Sequence, residues 1–197
     1  MTKSCSVKED FITCEEESSL LKEIEPHMKR LRYEKSHWDD AIYLFREKEQ
    51  RSWNKENEAI LQKIKEASFP PEIIDNGYIH LLDLHKDGHI KPHIDSVRYC
   101  GNIITGVSLI SDSVMRLRHK DDENRLIVDL LLKRRSLYKL TGPARYDFKH
   151  EILSEEESFF EEEKIPRERR ISVICRDLPV KEQPQAKLEL KPLIENE

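Results

Sequence analysis

The chain lacks paired cysteines, long apolar runs and an excess of positive charge, and each absence bears on a class of protein; its first residues as written do not read as an import leader, so either the true start lies upstream or the protein works elsewhere. Its cysteines, Cys5, Cys14, Cys100 and Cys175, are scattered with no CxxC pair. That spacing indicates neither a zinc knuckle nor a disulfide framework, and it points to a reducing compartment. No stretch approaches the roughly 18 consecutive apolar residues needed to cross a bilayer. A net charge of -5 and a pI near 6.0 argue against a bulk positive field for capturing duplex nucleic acid. Residues 1–17 hold Lys3 and Lys8 but also Glu9, Asp10, Glu15, Glu16 and Glu17, the opposite of an Arg-rich, acid-poor mitochondrial presequence. What is present is 197 residues, 37% hydrophobic and 37% charged, enough for a single domain with one sizeable core.

Helical patterns come first. Thr13 followed by Glu16 reads as a capping box, and Leu20, Ile24, Met28 and Leu31 recur at steps of three and four, so a helix is expected over about residues 14–31. A second helical pattern over residues 55–67 carries Ile60, Leu61 and Ile64 and ends before Pro70 and Pro71. Between them residues 32–53 are less regular and dense in aromatics. Those side chains are expected to pack beneath the helices, or to form a substrate wall in which Arg32, Arg46 and Trp38 stand first. From residue 78 the pattern is one of strands: 78–85, a hairpin turn at Asp87-Gly88, then 89–95, 103–110, 114–117, 126–132, 136–140, 146–152 and 169–176. About eight short strands after helices suit a mainly β fold, a double-sheet jelly roll (double-stranded β-helix) with flanking helices. The expected organisation is a flexible N-terminus over 1–13 and one domain over 14–179, with helical support at 14–67 and the jelly-roll core at 78–176. Residues 180–197, rich in Lys, Glu and Pro, are expected to be a disordered tail.

The chemistry concentrates late in the chain. His93 and Asp95 stand two apart, a spacing that in extended chain turns both to one side with Ile94 away. His150 follows. Two imidazoles and one carboxylate bind one face of an octahedral Fe(II) and leave positions open for oxygen. Among 8 histidines and 39 acidic residues a His-x-Asp pair arises by chance, and its plain reading is a turn cap beside a solvated acid. The rival set His85, His89 and His93 has the four-residue spacing of a helix face, which Gly88 and Pro92 oppose. The partners Tyr138, His150, Arg170 and Arg176, each on a strand-like segment, tip the balance. Arg167 and Arg169 read as surface charges. Cys100 and Cys175 read as small buried hydrophobes, and the acidic run 155–163 as a solvated loop anchored by Phe159 and Phe160.

The stretches IKPHIDS (residues 90–96), SLYKL (136–140), ARYDFKHEIL (144–153) and IPRERRISVICR (165–176) resemble the AlkB family of Fe(II)- and 2-oxoglutarate-dependent dioxygenases. They look most like the mitochondrial branch, the seventh animal AlkB homologue, and the likeness runs from about residue 14 to 179. The resemblance implies Fe(2+) held by His93, Asp95 and His150, with 2-oxoglutarate and O2 as co-substrates. It also implies that Arg170 takes the distal carboxylate of 2-oxoglutarate with help from Tyr138, while Arg176, Ser172 and the backbone near Ile171 complete the pocket. A planar guanidinium suits this task because it meets a carboxylate with two parallel hydrogen bonds and keeps its charge when desolvated. Ser172 stands where the family often has Asn, and a hydroxyl offers one donor in place of an amide's two.

The expected activity is therefore oxidation of a C–H bond or an N-alkyl group on a protein or RNA substrate. Association with fatty-acid metabolism and programmed necrosis, and residence in the mitochondrial matrix, are implied by the resemblance, with the cytoplasm as the alternative because no presequence is visible. The alternative function is a regulatory mitochondrial binding protein that keeps the iron site with little turnover. Residues 68–77 are too short for an elaborate lid over a flipped base, which with the negative charge argues against duplex DNA as substrate. Nothing in the pattern fixes an oligomeric state.

Overall fold

In the computed structural model, residues 4–73 and 75–179 are described. The capping box forms as expected: the Thr13 side chain accepts from the Glu16 amide and the Glu16 side chain accepts from the Thr13 amide, opening α1 (Cys14–Met28). The helix stops three residues short of the expected end. Asn54 caps α2 (Lys55–Ser68) by accepting from the Asn57 amide.

The strands are β1 (Cys5–Lys8), β2 (Ile42–Gln50), β3 (Asp75–His93), β4 (Ile103–Leu109), β5 (Ser113–His119), β6 (Asp122–Leu132), β7 (Leu137–Thr141), β8 (Phe148–Ile152), β9 (Phe159–Phe160), β10 (Glu163–Lys164) and β11 (Arg170–Asp177), with a short α3 (Gly142–Tyr146) before β8. Nine of them form one antiparallel sheet in the order β1-β7-β4-β11-β3-β8-β5-β6, with β2 on the free side of β3. That sheet rolls up on itself as a jelly roll. The long β3 makes the fold possible: its first half lies between β2 and β11, and its last residues pair with β8.

Four local expectations are corrected. Residues 5–8, assigned to a flexible N-terminus, form β1 and pair with β7. The irregular aromatic segment contains β2. Asp87-Gly88 makes no hairpin turn, because β3 runs unbroken through it. Between the pairs Phe45–Leu84 and Tyr43–His89, β2 has one residue and β3 has four, so the dipeptide sits in a bulge. Glycine is required there for close approach, since a Cβ on Gly88 would lie 2.6 Å from the Leu44 carbonyl oxygen. Finally, the acidic run 155–163 closes as a small β9–β10 hairpin, and Phe159 is exposed at 43% instead of anchoring it. The tail from residue 180 lies outside the described residues.

Two cores result. One packs α1 and α2, through Leu20, Ile24, Met28, Ile60 and Ile64, against Ile79, Leu81, Val107, Ile171, Val173 and Cys175. The other fills the roll with Phe45, Leu84, Ile104, Met115, Leu117, Leu140, Ile152 and Ile174. Because strand side chains alternate, β11 gives Ile171, Val173 and Cys175 to the first core and turns Arg170, Ser172, Ile174 and Arg176 into the roll.

Candidate metal and co-substrate site

The roll encloses a cavity of about 60 Å³ lined by His93, Asp95, His150, Tyr138, Arg170, Ser172, Arg176 and His80 together with Ile42, Leu82, Ile90, Ile104, Met115, Leu140, Ile152 and Ile174. His93 ends β3 directly opposite His150 on β8, and this cross-strand register puts their ring centroids 4.3 Å apart. Asp95 lies just past the strand in irregular chain. Ligand atoms of His93, Asp95 and His150 all fall within 4.8 Å of one another, and these three are the group so disposed among the described residues. Asp95 Oδ1 is 3.4 Å from His93 Nε2 and 3.7 Å from His150 Nε2.

The orientation of each group is held from behind. His93 Nδ1 lies 2.9 Å from the Lys91 carbonyl oxygen, which can only accept, so Nδ1 carries the proton and Nε2 faces the cluster. Burial pushes His150 down to about 3, and the neighbouring His93 charge acts in the same direction, so its imidazole is neutral and has a free lone pair. Burial opposes protonation of His93 as well, but the contact with Asp95 outweighs it and holds His93 above the usual value. Burial alone would raise Asp95, yet Arg176 and both histidines hold its carboxyl well below the usual range. Arg176 Nε donates to Asp95 Oδ2 at 2.8 Å, leaving Oδ1 toward the imidazoles.

Arg176 is itself fixed. Its Nη1 lies 2.9 Å from His80 Nδ1, and because guanidinium only donates, His80 Nε2 carries the proton given to Glu47 Oε2 at 2.8 Å. A relay of contacts thus runs Glu47, His80, Arg176, Asp95. The spacing of His80 recommended nothing; it is recruited by register, standing opposite Glu49 of β2 and Ile174 of β11. His85 and His89 take no part in the cluster.

Six residues from Arg176 on the same strand face, Arg170 is 2% exposed. Its Nε donates to Ser108 Oγ at 2.8 Å, while Nη2 is buried without a hydrogen-bond partner. Burial lowers its pKa, and Tyr138 beside it acts in the opposite sense. Tyr138 lies across Gly106, whose absent side chain makes the room: a Cβ there would stand 2.7 Å from the tyrosine hydroxyl oxygen. Ser172 shares the cavity. The Ile171 side chain does not; it packs in the helix-side core, and the backbone expected near the pocket sits between Asp83 and Leu109 in the sheet.

Arg167 and Arg169 are also not plain surface charges. Arg169 bridges Asp83 and Glu25, and buried Arg167 donates from Nη2 to the Gly88 carbonyl. Arg46, offered for a substrate wall, instead pairs with Asp83 at 2.7 Å under the Tyr33 ring. Cys100 and Cys175 are buried as expected, and burial pushes their thiols up to about 11 and about 12, which leaves them unreactive.

Three convergent N and O ligand atoms at one place, and an orphaned buried guanidinium donor on the same cavity wall, suit an oxygen-activating metal and an anionic co-substrate. A family model described as the 2OG-Fe(II) oxygenase superfamily matches residues 7–176. The chain belongs to that superfamily. It is similar to alpha-ketoglutarate-dependent dioxygenase alkB homolog 7, mitochondrial, of Mus musculus, at 52% identity over 169 residues, 86% of this chain and 76% of the mouse protein. The protein of the same description from Bos taurus is 51% identical over 173 residues, 88% of this chain and 78% of its own. The solved structure of OsALKBH1 shares the fold at TM-score 0.65 and 10% identity, over 88% of this chain and 97% of that one. The chain is thus an Fe(II)- and 2-oxoglutarate-dependent dioxygenase of the AlkB family, using Fe(2+), 2-oxoglutarate and O2. No helix among the described residues is long and apolar enough to cross a membrane.

Proposed function

We propose that His93, Asp95 and His150 hold the iron, that Arg170 with Tyr138 and Ser172 holds the distal carboxylate of 2-oxoglutarate, and that the enzyme oxidises a C–H or N-alkyl group on a protein or RNA substrate in the mitochondrion. When bound, iron and co-substrate would supply the oxidation: O2 and 2-oxoglutarate are consumed, succinate and CO2 leave, and a C–H bond is hydroxylated, which on an N-methyl group ends in loss of the methyl carbon as formaldehyde. The chain supplies orientation. Lys91 fixes the tautomer of His93, Arg176 fixes which oxygen Asp95 presents, and the guanidinium of Arg170 offers an unused donor to a carboxylate. Ile42, Ile90, Met115 and Ile152 give the inner cavity an apolar wall beside the three-ligand cluster. The mitochondrial setting follows the names of the mouse and cattle relatives, and the links to fatty-acid metabolism and programmed necrosis rest on the sequence resemblance alone.

The observation that carries the reading is the single cavity wall shared by the three-ligand cluster and the unpartnered Arg170 donor. The test is iron stoichiometry together with 2-oxoglutarate consumption in purified wild type and His150→Ala. Wild type is expected to bind one iron and to release succinate slowly even without a second substrate. His150→Ala is expected to lose both, and a variant that keeps both sinks the assignment.

A further inference from the structure

Outside the inner cavity lies a second, wider one of about 660 Å³, within the range of ligand pockets. It shares Ile42, His80, His93, Asp95 and Arg176 with the inner cavity, so it is the approach to the three-ligand cluster. Its wall carries four carboxylates, Asp39, Glu47, Glu49 and Asp95, against one guanidinium, Arg176. Leaving His37, His80 and His93 out of the count, the difference is three negative charges. Arg176 answers Asp95, His37 lies 2.6 Å from Asp39 and His80 lies 2.8 Å from Glu47, so Glu49 is the carboxylate of this wall with no ion pair among the described residues.

Two large aromatics stand in the same wall. Trp38 is 87% exposed and Tyr99 63% exposed. The Arg98 guanidinium lies 5.5 Å from the Tyr99 ring centroid, so that ring already has a cation near it, while Trp38 touches the His37 ring at 5.4 Å and otherwise faces solvent. An indole at the mouth of a carboxylate-rimmed cavity is the chemistry that selects alkylated ammonium and guanidinium groups. A nucleic acid could stack on the same rings, but surfaces that take single strands add a basic track for the phosphates, and this rim has the opposite sign.

Resting on the assignment of the iron site above, we propose that this vestibule receives a cationic side chain of a protein, an N-methylated lysine or arginine, and holds it against Trp38 and the carboxylates of Asp39, Glu47 and Glu49.

The test uses the full chain loaded with Fe(II) and 2-oxoglutarate under argon. Binding is read by fluorescence anisotropy of a peptide with one trimethyl-lysine among neutral residues, and of the same peptide with norleucine in its place. The methylated peptide is expected to bind about 2- to 30-fold more tightly. Trp38→Ala is expected to weaken it about 2- to 5-fold, and Glu49→Lys about 5-fold. Glu163→Lys makes the same charge change on the distant β9–β10 hairpin and is expected to leave binding unaltered. Equal binding of the norleucine peptide overturns the proposal, and so does an equal loss in Glu163→Lys. Tighter binding of a single-stranded RNA bearing N1-methyladenosine than of either peptide also overturns it, in favour of RNA. A failed iron assignment shows differently, as 2-oxoglutarate consumption by wild type that His150→Ala does not reduce.

Discussion

The two faces of β11 are built from alternating residues of one eight-residue strand, yet they obey different rules. Toward the helices, Ile171, Val173 and Cys175 pack into the apolar core beneath α1 and α2. Toward the roll, Arg170, Ser172 and Arg176 are buried or nearly so, and one guanidinium donor has nothing to bind. A buried unpaired donor costs about 1–3 kcal/mol, so a strand optimised for stability alone would not carry one. The apolar face holds the fold, and the polar face stores binding capacity that folding does not use. The two can therefore be separated by substitution.

The largest effect is expected on the helix-side face. Ile171→Ala removes buried methyl groups where α1, α2 and the sheet meet, and destabilisation of about 2–5 kcal/mol is expected by denaturant unfolding. Co-substrate affinity of the fraction that stays folded should change little. If 2-oxoglutarate affinity falls in step with stability, the faces are not independent.

Across the strand, Arg170→Ala should do the reverse. Removing a charge-assisted contact to a carboxylate costs about 1.5–3 kcal/mol, so calorimetry should show 2-oxoglutarate binding weaker by roughly 10- to 150-fold. Iron binding should be nearly unaltered, because the three-ligand cluster lies against Arg176 at the other end of the face. Arg170→Lys should recover part of the affinity, since an ammonium keeps the charge but loses the planar fork. Unchanged affinity in the alanine variant would move the anchor to another residue.

Gly106→Ala probes the crowding on the roll side. Its new Cβ would press on the Tyr138 ring, and the tyrosine, on β7 between β4 and β1, must shift. Overpacking of this kind costs about 1–3 kcal/mol. The sharper outcome is a weakened 2-oxoglutarate complex with iron binding retained; a loss of stability with full co-substrate affinity would mean that the ring position is immaterial to the site.

Part of this division was legible in the chain. The alternation of residues 170–176 gives β11 and its two faces, and the cross-strand meeting of His93 with His150 was foreshadowed by strand patterns around both. The backbone near Ile171 was brought to the pocket by the family resemblance, and the alternation of the strand sends the Ile171 side chain to the other face. β2 escaped because its residues 42–50 follow no clean alternation: Leu44 takes a positive φ of 52° in the bulge, and Arg46 is buried in a pair with Asp83. Asp87-Gly88 misled because the same dipeptide serves both tight turns and bulges, and only the pairing of β2 decides between them. His80 and Glu47 could not be found from spacing, since their contact depends on the register of three strands.

The smallest expected effect isolates one oxygen atom. Tyr138 is buried in the inner core, where its ring packs with Ile104 and Leu140 and its hydroxyl faces the Arg170 side of the cavity. Burial is the main reason its pKa is raised, so the hydroxyl stays protonated and is available as a donor. Tyr138→Phe keeps the ring and hence the packing, and deletes one neutral hydrogen-bonding group worth about 0.5–1.5 kcal/mol. The dissociation constant for 2-oxoglutarate should rise by about 2- to 13-fold, well below the change in Arg170→Ala, while the unfolding midpoint stays near that of wild type. Combining the two substitutions sharpens the point. If the hydroxyl and the guanidinium bind the same carboxylate, the double variant should lose less than the sum of the single losses; full additivity would place Tyr138 on a different part of the co-substrate.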